Sequence, residues 1–269
     1  MNIDLNGKVA IVTGAGRGIG RVIATTLAKE GVNTIVTDVN PTALLDVADE
    51  FEKNGWTGSQ YECDVRDLAR INEVVADIEQ KFGHLDILVN NAGVLRAGSV
   101  EQLSEEDWDL SSDVNLKGVF LMCKAVIPIM KKQRSGRIIN AASFAAIMPS
   151  ANSASYASVK AGVHFFTRTL AGELGPWNIT VNCYAPGMIP TEMNHFAEQP
   201  EAAQNRLLDT LTLRRWGKES EVANLICFLA SDLASYITGT LVDVSGGKYA
   251  TQLPRVPYEN AAAAGEYTF

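Results

Sequence analysis

The sequence predicts an α/β fold: a doubly wound parallel sheet of about seven strands, with helices on both faces. Three observations predict it. Short apolar and β-branched runs alternate with stretches of helical periodicity along the 269 residues. Most of those runs are apolar on both faces, as strands of a helix-covered parallel sheet must be. A glycine-rich stretch, Thr13–Gly20, joins the first run to the first helical pattern.

In chain order, Lys8–Thr13 (KVAIVT) reads as a buried strand and Gly20–Glu30 as the helix after it. Thr34–Thr37 is a second strand, Pro41–Asn54 a helix, Trp56–Cys63 a third strand and Leu68–Phe82 a helix. Leu85–Asn90 (LDILVN) is a fourth strand, and Ser104–Lys132 a helix broken near Asp113–Asn115. Arg137–Asn140, Ile179–Tyr184 and Leu241–Val244 complete the strands, with the long helix Ser155–Leu174 between the fifth and sixth. No connection has the composition of a linker, so residues 1–249 are expected to form a single dinucleotide-binding catalytic domain. Pro190–Arg215 breaks the rhythm and fits a mobile lid. Ala250–Phe269, with two prolines and four consecutive alanines, reads as a tail, either disordered or tied down at a subunit interface.

Composition narrows the function. A formal net charge of −8 provides no basic footprint for nucleic acid or an anionic membrane, and no run approaches the length of a membrane span. Cys63, Cys123, Cys183 and Cys227 stand singly, and His84, His164 and His195 lie far apart, so no metal site is expected. Single cysteines fit a reduced, cytoplasmic chain, and Met1–Lys8 reaches the first strand without room for an apolar signal segment.

The loop Thr13-Gly14-Ala15-Gly16-Arg17-Gly18-Ile19-Gly20 sits between a strand and a helix at the start of a βαβ unit. Glycines there let the backbone approach a pyrophosphate, which then faces the amides of a helix N-terminus. The expectation is a Rossmann-like dinucleotide site. Asp38 ends the second strand, eighteen residues beyond Gly20. A carboxylate at that point accepts from a ribose 2′-hydroxyl and repels a 2′-phosphate, favouring NAD over NADP. A helix N-cap is the competing role for Asp38, and the Arg17 guanidinium argues for the phosphate.

Tyr156 and Lys160 lie four residues apart on one helix face. A phenol with a pKa near ~10 is a poor acid or base at neutral pH, and a nearby ammonium is expected to lower it. Ser143, just beyond the fifth strand, adds a hydroxyl that can hydrogen-bond a reacting oxygen near Tyr156.

Taken together, these motifs resemble the short-chain dehydrogenases/reductases of compact one-domain type, over about Leu5 to Lys248. The resemblance rests on Thr13–Gly20, Asp64-Val65, Asn90–Gly93 (NNAG), Asn115, Ser143, Tyr156–Lys160 and Pro186–Thr191 (PGMIPT), in that order. It implies an oxidoreductase in which Tyr156 is the general acid/base, Lys160 lowers its pKa and binds the nicotinamide ribose, and Ser143 orients the substrate. Asn115 would hold a water that relays protons from Lys160, although kinking its helix is a competing role. Val39, Asp64 and Val65 would meet the adenine side, and Asn91, Ala92 and Gly93 the adenosine. Pro186, Gly187, Ile189 and Thr191 would line the nicotinamide end, Ile189 fixing the carboxamide through its backbone. Asn90 reads as a sheet-stabilising residue. The family further implies a homotetramer.

Substrate choice is expected in Phe144–Ser153 and the lid. Phe144, Ile147, Met148, Met188, Met193 and Phe196 are candidate apolar walls, and Asn152, Ser153 and Glu192 suit a sugar or polyol. The leading expectation is an NAD(H)-dependent enzyme interconverting a small secondary alcohol, sugar or polyol with its ketone. The alternative is an NADPH-dependent 3-oxoacyl carrier-protein reductase, with Lys131, Lys132 and Arg134 to dock an acidic carrier. Trp177, where those reductases often carry a basic residue, counts against it. A non-catalytic dinucleotide-binding scaffold is the reading from another class, which the complete set Asn115, Ser143, Tyr156 and Lys160 opposes.

Overall fold

The computed structural model describes residues 3–269; Met1 and Asn2, part of the expected signal-free start, lie outside the described residues. Seven strands form one parallel sheet: β1 (Val9–Thr13), β2 (Asn33–Asp38), β3 (Gly58–Glu62), β4 (Ile87–Asn90), β5 (Gly136–Ala141), β6 (Ile179–Pro186) and β7 (Leu241–Val244). Their order is β3-β2-β1-β4-β5-β6-β7. The winding therefore reverses between β1 and β4, which opens a crevice at the carboxyl ends of those strands.

Helices α1 (Gly18–Lys29) and α2 (Pro41–Asn54) cover one face together with α8 (Glu219–Ala230). Helices α3 (Leu68–Phe82), α5 (Gly118–Gln133) and α6 (Ala154–Leu174) cover the other. Every residue of β1, β4 and β5 is buried, which is why these strands carry no polar alternation. Among the described residues no helix is long and apolar enough to cross a membrane.

Helix ends fall where the chain supplies caps. Asn40 accepts from the amides of Thr42 and Ala43, Pro41 opens α2, and Gly55 closes it in the left-handed conformation. Asp67 caps α3 through the amide of Arg70, and Gly83 ends it. The break expected near Asp113–Asn115 is a π-helical turn, Asp113–Lys117, between α4 (Glu105–Ser112) and α5. Such turns insert one residue and re-aim the side chains within them.

The lid carries more structure than its sequence suggests, including α7 (Glu201–Leu208). Its base is stitched to the turn after β7: Thr212 N–H donates to Gly247 O (3.2 Å), Leu213 N–H to Gly246 O (3.0 Å), and Tyr249 N–H to Thr210 O (2.9 Å). The tail carries a helix as well, α9 (Val256–Ala263), and touches the lid base of its own chain. Arg255 pairs with Asp209 at 2.7 Å, Tyr258 Oη donates to Thr212 O at 2.6 Å, and the Phe269 ring lies 4.8 Å from the Arg214 guanidinium.

Candidate active site

A cavity of about 620 Å³ opens at the carboxyl ends of the strands. It gathers all the expected site residues except Gly16 along one wall or another. Gly16 instead holds the architecture: its N–H donates to Asp38 Oδ2 at 2.9 Å. Gly14 shows why the loop needs glycine. Its φ is +61°, and a Cβ there would lie 2.7 Å from Ala92 Cα. The loop is thereby pressed against the segment after β4, where the Thr13 hydroxyl accepts from the amides of Asn91 and Ala92, both at 3.0 Å.

Asp38 does not cap α2, because Asn40 does. The Asp38 carboxylate accepts from the amides of Gly16 and Asn40 and lines the cavity, as does the exposed side chain of Val39. Arg17 lines the cavity too, paired with Glu192 on the lid at 2.8 Å. The Asp64 carboxylate is gripped by the Arg66 guanidinium, which holds its pKa below the ordinary range. Asn91 spends its amide on Thr13 O and Gly14 O, and Asn90 bonds Asn140 inside the sheet at 2.8 Å. Ile189 has both backbone groups engaged: its N–H donates to Gly187 O at 3.0 Å and its carbonyl accepts from Asn194 Nδ2 at 2.8 Å.

At the other end, α6 presents Tyr156 and Lys160 from one face, four residues apart. Lys160 Nζ donates to Ala141 O at the end of β5 (2.7 Å) and lies 5.6 Å from the Tyr156 ring centroid. Full burial pulls the Lys160 ammonium down to about 8. Burial pushes the Tyr156 phenol up, with Ser143 pulling it partly back. The net direction is opposite to the lowering expected from Lys160, because burial of the phenol outweighs what favours its ionised form. Asn115, at the π-helical turn, is fully buried; its Nδ2 donates to Val94 O and Ser111 O, both at 2.9 Å. A Cβ on Gly93 would meet Asn115 Oδ1 at 2.7 Å and Lys160 Nζ at 3.7 Å, so Gly93 keeps open the gap between them. Ser143 accepts from Ala145 N–H at 3.1 Å, which fixes its hydroxyl beside the cavity.

Of the expected walls, Phe144, Met148, Met188, Met193, Phe196, Ser153 and Glu192 line the cavity. Ile147 and Asn152 do not; both are exposed on the loop after β5. The sequence reading missed Val94, Leu95, Leu110, Leu207 and Lys248. Val94 and Leu95 directly follow the NNAG segment and could have been found from it, whereas Leu110, Leu207 and Lys248 lie on α4, α7 and the turn after β7, outside any motif.

A family model described as enoyl-(acyl carrier protein) reductase matches residues 14–248. The chain belongs to the short-chain dehydrogenases/reductases. It is 42% identical over 243 residues to a 3-oxoacyl-(acyl-carrier-protein) reductase FabG of Thermotoga maritima, covering 90% of this chain and 98% of that protein. It is 40% identical to the protein of the same name in Pseudomonas aeruginosa, covering 92% and 99%. Among solved structures, a gluconate 5-dehydrogenase from Burkholderia cenocepacia in complex with NADP and tartrate superposes with a TM-score of 0.88 at 31% identity, covering 93% and 98%. Levodione reductase superposes with a TM-score of 0.87 at 34% identity, covering 91% of this chain and 99% of that one. As a short-chain dehydrogenase/reductase, the chain is an NAD(P)-dependent oxidoreductase acting on CH–OH donors.

Proposed function

We propose that this enzyme reduces the ketone of a 3-oxoacyl thioester to the secondary alcohol, and runs the reverse reaction, with Tyr156 as general acid and base. The observation that carries the reading is the convergence of Ser143 and Tyr156 on one cavity, with Lys160 buried behind them. The glycine cradle and Asp38 suit a dinucleotide, whose nicotinamide, when bound, supplies or accepts the hydride. The chain's own part is to orient the substrate and move a proton. Ser143 and Tyr156 donate hydrogen bonds to the carbonyl oxygen as it gains negative charge, and the Tyr156 phenol delivers its proton to that oxygen. A raised pKa keeps the phenol protonated and ready for reduction. Lys160, Asn115 and Gly93 lie together behind Tyr156 on the side from which the proton would be replaced.

The names of the 42% and 40% identical relatives support the thioester above the small alcohol, sugar or polyol expected at first. Delivery by an acidic carrier has less support from geometry. Lys131 lies over the Trp177 ring at 3.8 Å, Lys132 pairs with Glu79, and Arg134 donates to Pro176 O, so each expected docking cation has a partner within the chain. A small thioester is therefore the apt probe. A second reading, dehydrogenation of a small polyhydroxy acid, has the gluconate 5-dehydrogenase neighbour behind it.

For the cofactor, the neighbour's NADP supports the phosphorylated form. Asp38 supports NAD, and we take NAD(H), because its carboxylate faces the cavity while the Arg17 guanidinium, on the same cavity, is already paired with Glu192. Residues 1–249 are taken as one catalytic domain in a cytoplasmic homotetramer. The half-exposed Phe120 on α5 and the exposed Phe165 on α6 support association through those helices, and a subunit contact for the tail 250–269 belongs to the same reading.

The test is steady-state reduction of a 3-oxobutanoyl N-acetylcysteamine thioester with NADH and with NADPH. Tyr156→Phe is expected to lower kcat by at least about a hundredfold while leaving cofactor affinity within about twofold. Undiminished turnover in that variant would remove Tyr156 from the chemistry.

A further inference from the structure

The substrate end of the cavity holds one charged side chain that the proposed chemistry does not use. Lys248 follows β7 in the turn Ser245–Tyr249, and its side chain lines the same cavity as Ser143 and Tyr156. The turn is fixed. Lys248 N–H donates to Ser245 Oγ at 3.1 Å, and Leu211 of the lid base bridges to Lys248. Gly247 adopts a φ of +72°, and a Cβ there would lie 2.8 Å from Thr212. The Lys248 ammonium thus reaches the cavity from a rigid base, 5.2 Å from the ring centroid of Phe144, the neighbour of Ser143.

Among the described residues, no carboxylate pairs with this ammonium and no acceptor takes its hydrogen bonds; the Phe144 ring is its recorded partner. The carboxylates that line the cavity are committed elsewhere: Asp38 to the amides of Gly16 and Asn40, Asp64 to Arg66, and Glu192 to Arg17. Partial burial pulls the Lys248 pKa below its ordinary value, in keeping with an ammonium that has lost part of its hydration and has no counter-charge beside it. A cation–π contact offsets that cost only in part. Such a cost, kept in a concave site beside the reacting groups, is the pattern of a ligand-binding residue.

We infer that Lys248 receives a substrate carboxylate, so that an oxo acid and its hydroxy acid are substrates of this site beside the 3-oxoacyl thioester, and turnover of the acid depends on Lys248 where turnover of neutral ketones does not. The inference rests on the reading that Ser143 and Tyr156 hold the reacting oxygen, and it names the group at the far end of that substrate. A 3-oxo acid keeps the ketone of a 3-oxoacyl thioester and sets a negative charge where the thioester would be. A charge-assisted hydrogen bond in this half-buried site then separates the two classes.

The experiment compares 3-oxobutanoate with its ethyl ester in the wild type, Lys248→Met and Lys248→Arg. In Lys248→Met the ratio of kcat/KM for acid over ester is expected to fall about 10- to 100-fold, with ester turnover changed less than about threefold. Lys248→Arg is expected to restore part of the ratio. An unchanged ratio, or an equal loss on both substrates, overturns the inference while leaving the Tyr156 chemistry to stand on ester turnover. Saturation-transfer NMR of butanoate, which has no oxygen to reduce, reads carboxylate binding without catalysis. Its signal is expected with the wild type and absent with Lys248→Met. Equal signals would overturn the role of Lys248 even if neither oxo substrate reacted, a result that would instead sink the catalytic reading.

Discussion

Asp38 Oδ2 accepts the amide hydrogen of Gly16 at 2.9 Å, so the carboxylate that ends β2 is fastened to the middle of the glycine loop. The proposed selectivity against a 2′-phosphate and the shape of the loop therefore rest on one side chain. Asp38→Asn separates the two, because an amide oxygen can still accept from Gly16 while the charge is gone. The NADP/NAD ratio of kcat/KM is expected to rise at least about tenfold in this variant, with little loss of thermal stability. A ratio that stays fixed would show that the Asp38 charge does not select the cofactor.

Arg17 and Glu192 join that loop to the lid at 2.8 Å, across 175 residues of sequence. Both side chains are largely exposed, so the pair adds little to folding, and its expected effect is on cofactor release past the lid. Glu192→Gln is expected to speed cofactor release about two- to fivefold at low ionic strength. The difference should fade at high salt, where exposed charges are screened. Stopped-flow displacement of NADH at two salt concentrations measures both.

How much of this site could be read in the sequence depended on how local its causes are. Helices α2 and α3 matched expectation to the residue because their caps, Asn40 with Pro41 and Asp67, are written beside them, and Gly55 and Gly83 end them. The break at Asp113 was legible, although not its π-helical form. The lid helix α7 and tail helix α9 were not expected. They are short, and α9 is tied down by long-range contacts such as Arg255 with Asp209. The Tyr156 pKa was expected to be lowered because Lys160 is near in sequence. Its burial, which reverses the direction, is set by the lid and sheet together. Lys248 had no motif to mark it, since its meaning depends on Phe144 more than a hundred residues away.

Tyr156 sets opposite pH trends for the two reaction directions. Tyr156 is raised, so it remains a proton donor through neutral pH and beyond. Ketone reduction is expected to be flat from about pH 6 upward until the phenol begins to ionise, and alcohol oxidation, which needs the phenolate as base, to climb as pH rises. Profiles of kcat/KM for both directions check this. A rate of oxidation that falls with rising alkalinity would contradict it.

Lys160 carries a stability signature of its own. Its folded pKa is about 8 against an ordinary 10.5, so above about pH 8 the unfolded chain binds the extra proton. Stability contributed at this site must then rise with pH between those values and level off beyond them. Lys160→Met removes that dependence. The Tm of the wild type is expected to gain on that of the variant from pH 8 to 10, by an amount worth up to a few kcal/mol. Parallel melting curves across that range would place the Lys160 pKa near its ordinary value instead.

The tail bears on the lid through Asp209, which pairs with both Arg214 and Arg255 at the lid base. Beyond α9, the Phe269 ring lies within 5.2 Å of the Arg255 guanidinium and 4.8 Å of that of Arg214, and Tyr267 packs edge-on between Tyr258 and Phe269. The family model matches residues 14–248, so Arg255, Tyr258, Tyr267 and Phe269 of this clamp lie beyond it. Truncation after Ala250 removes Arg255, Tyr258 and the aromatic end together, leaving the catalytic groups untouched. KM for the ketone is expected to rise about three- to tenfold with kcat within about twofold, because a loosened lid weakens binding more than chemistry. Light scattering on the same truncated enzyme reads the second proposed role of the tail. Dissociation of the assembly would assign the tail to a subunit contact, whereas an intact assembly with a raised KM would assign it to the lid of its own chain.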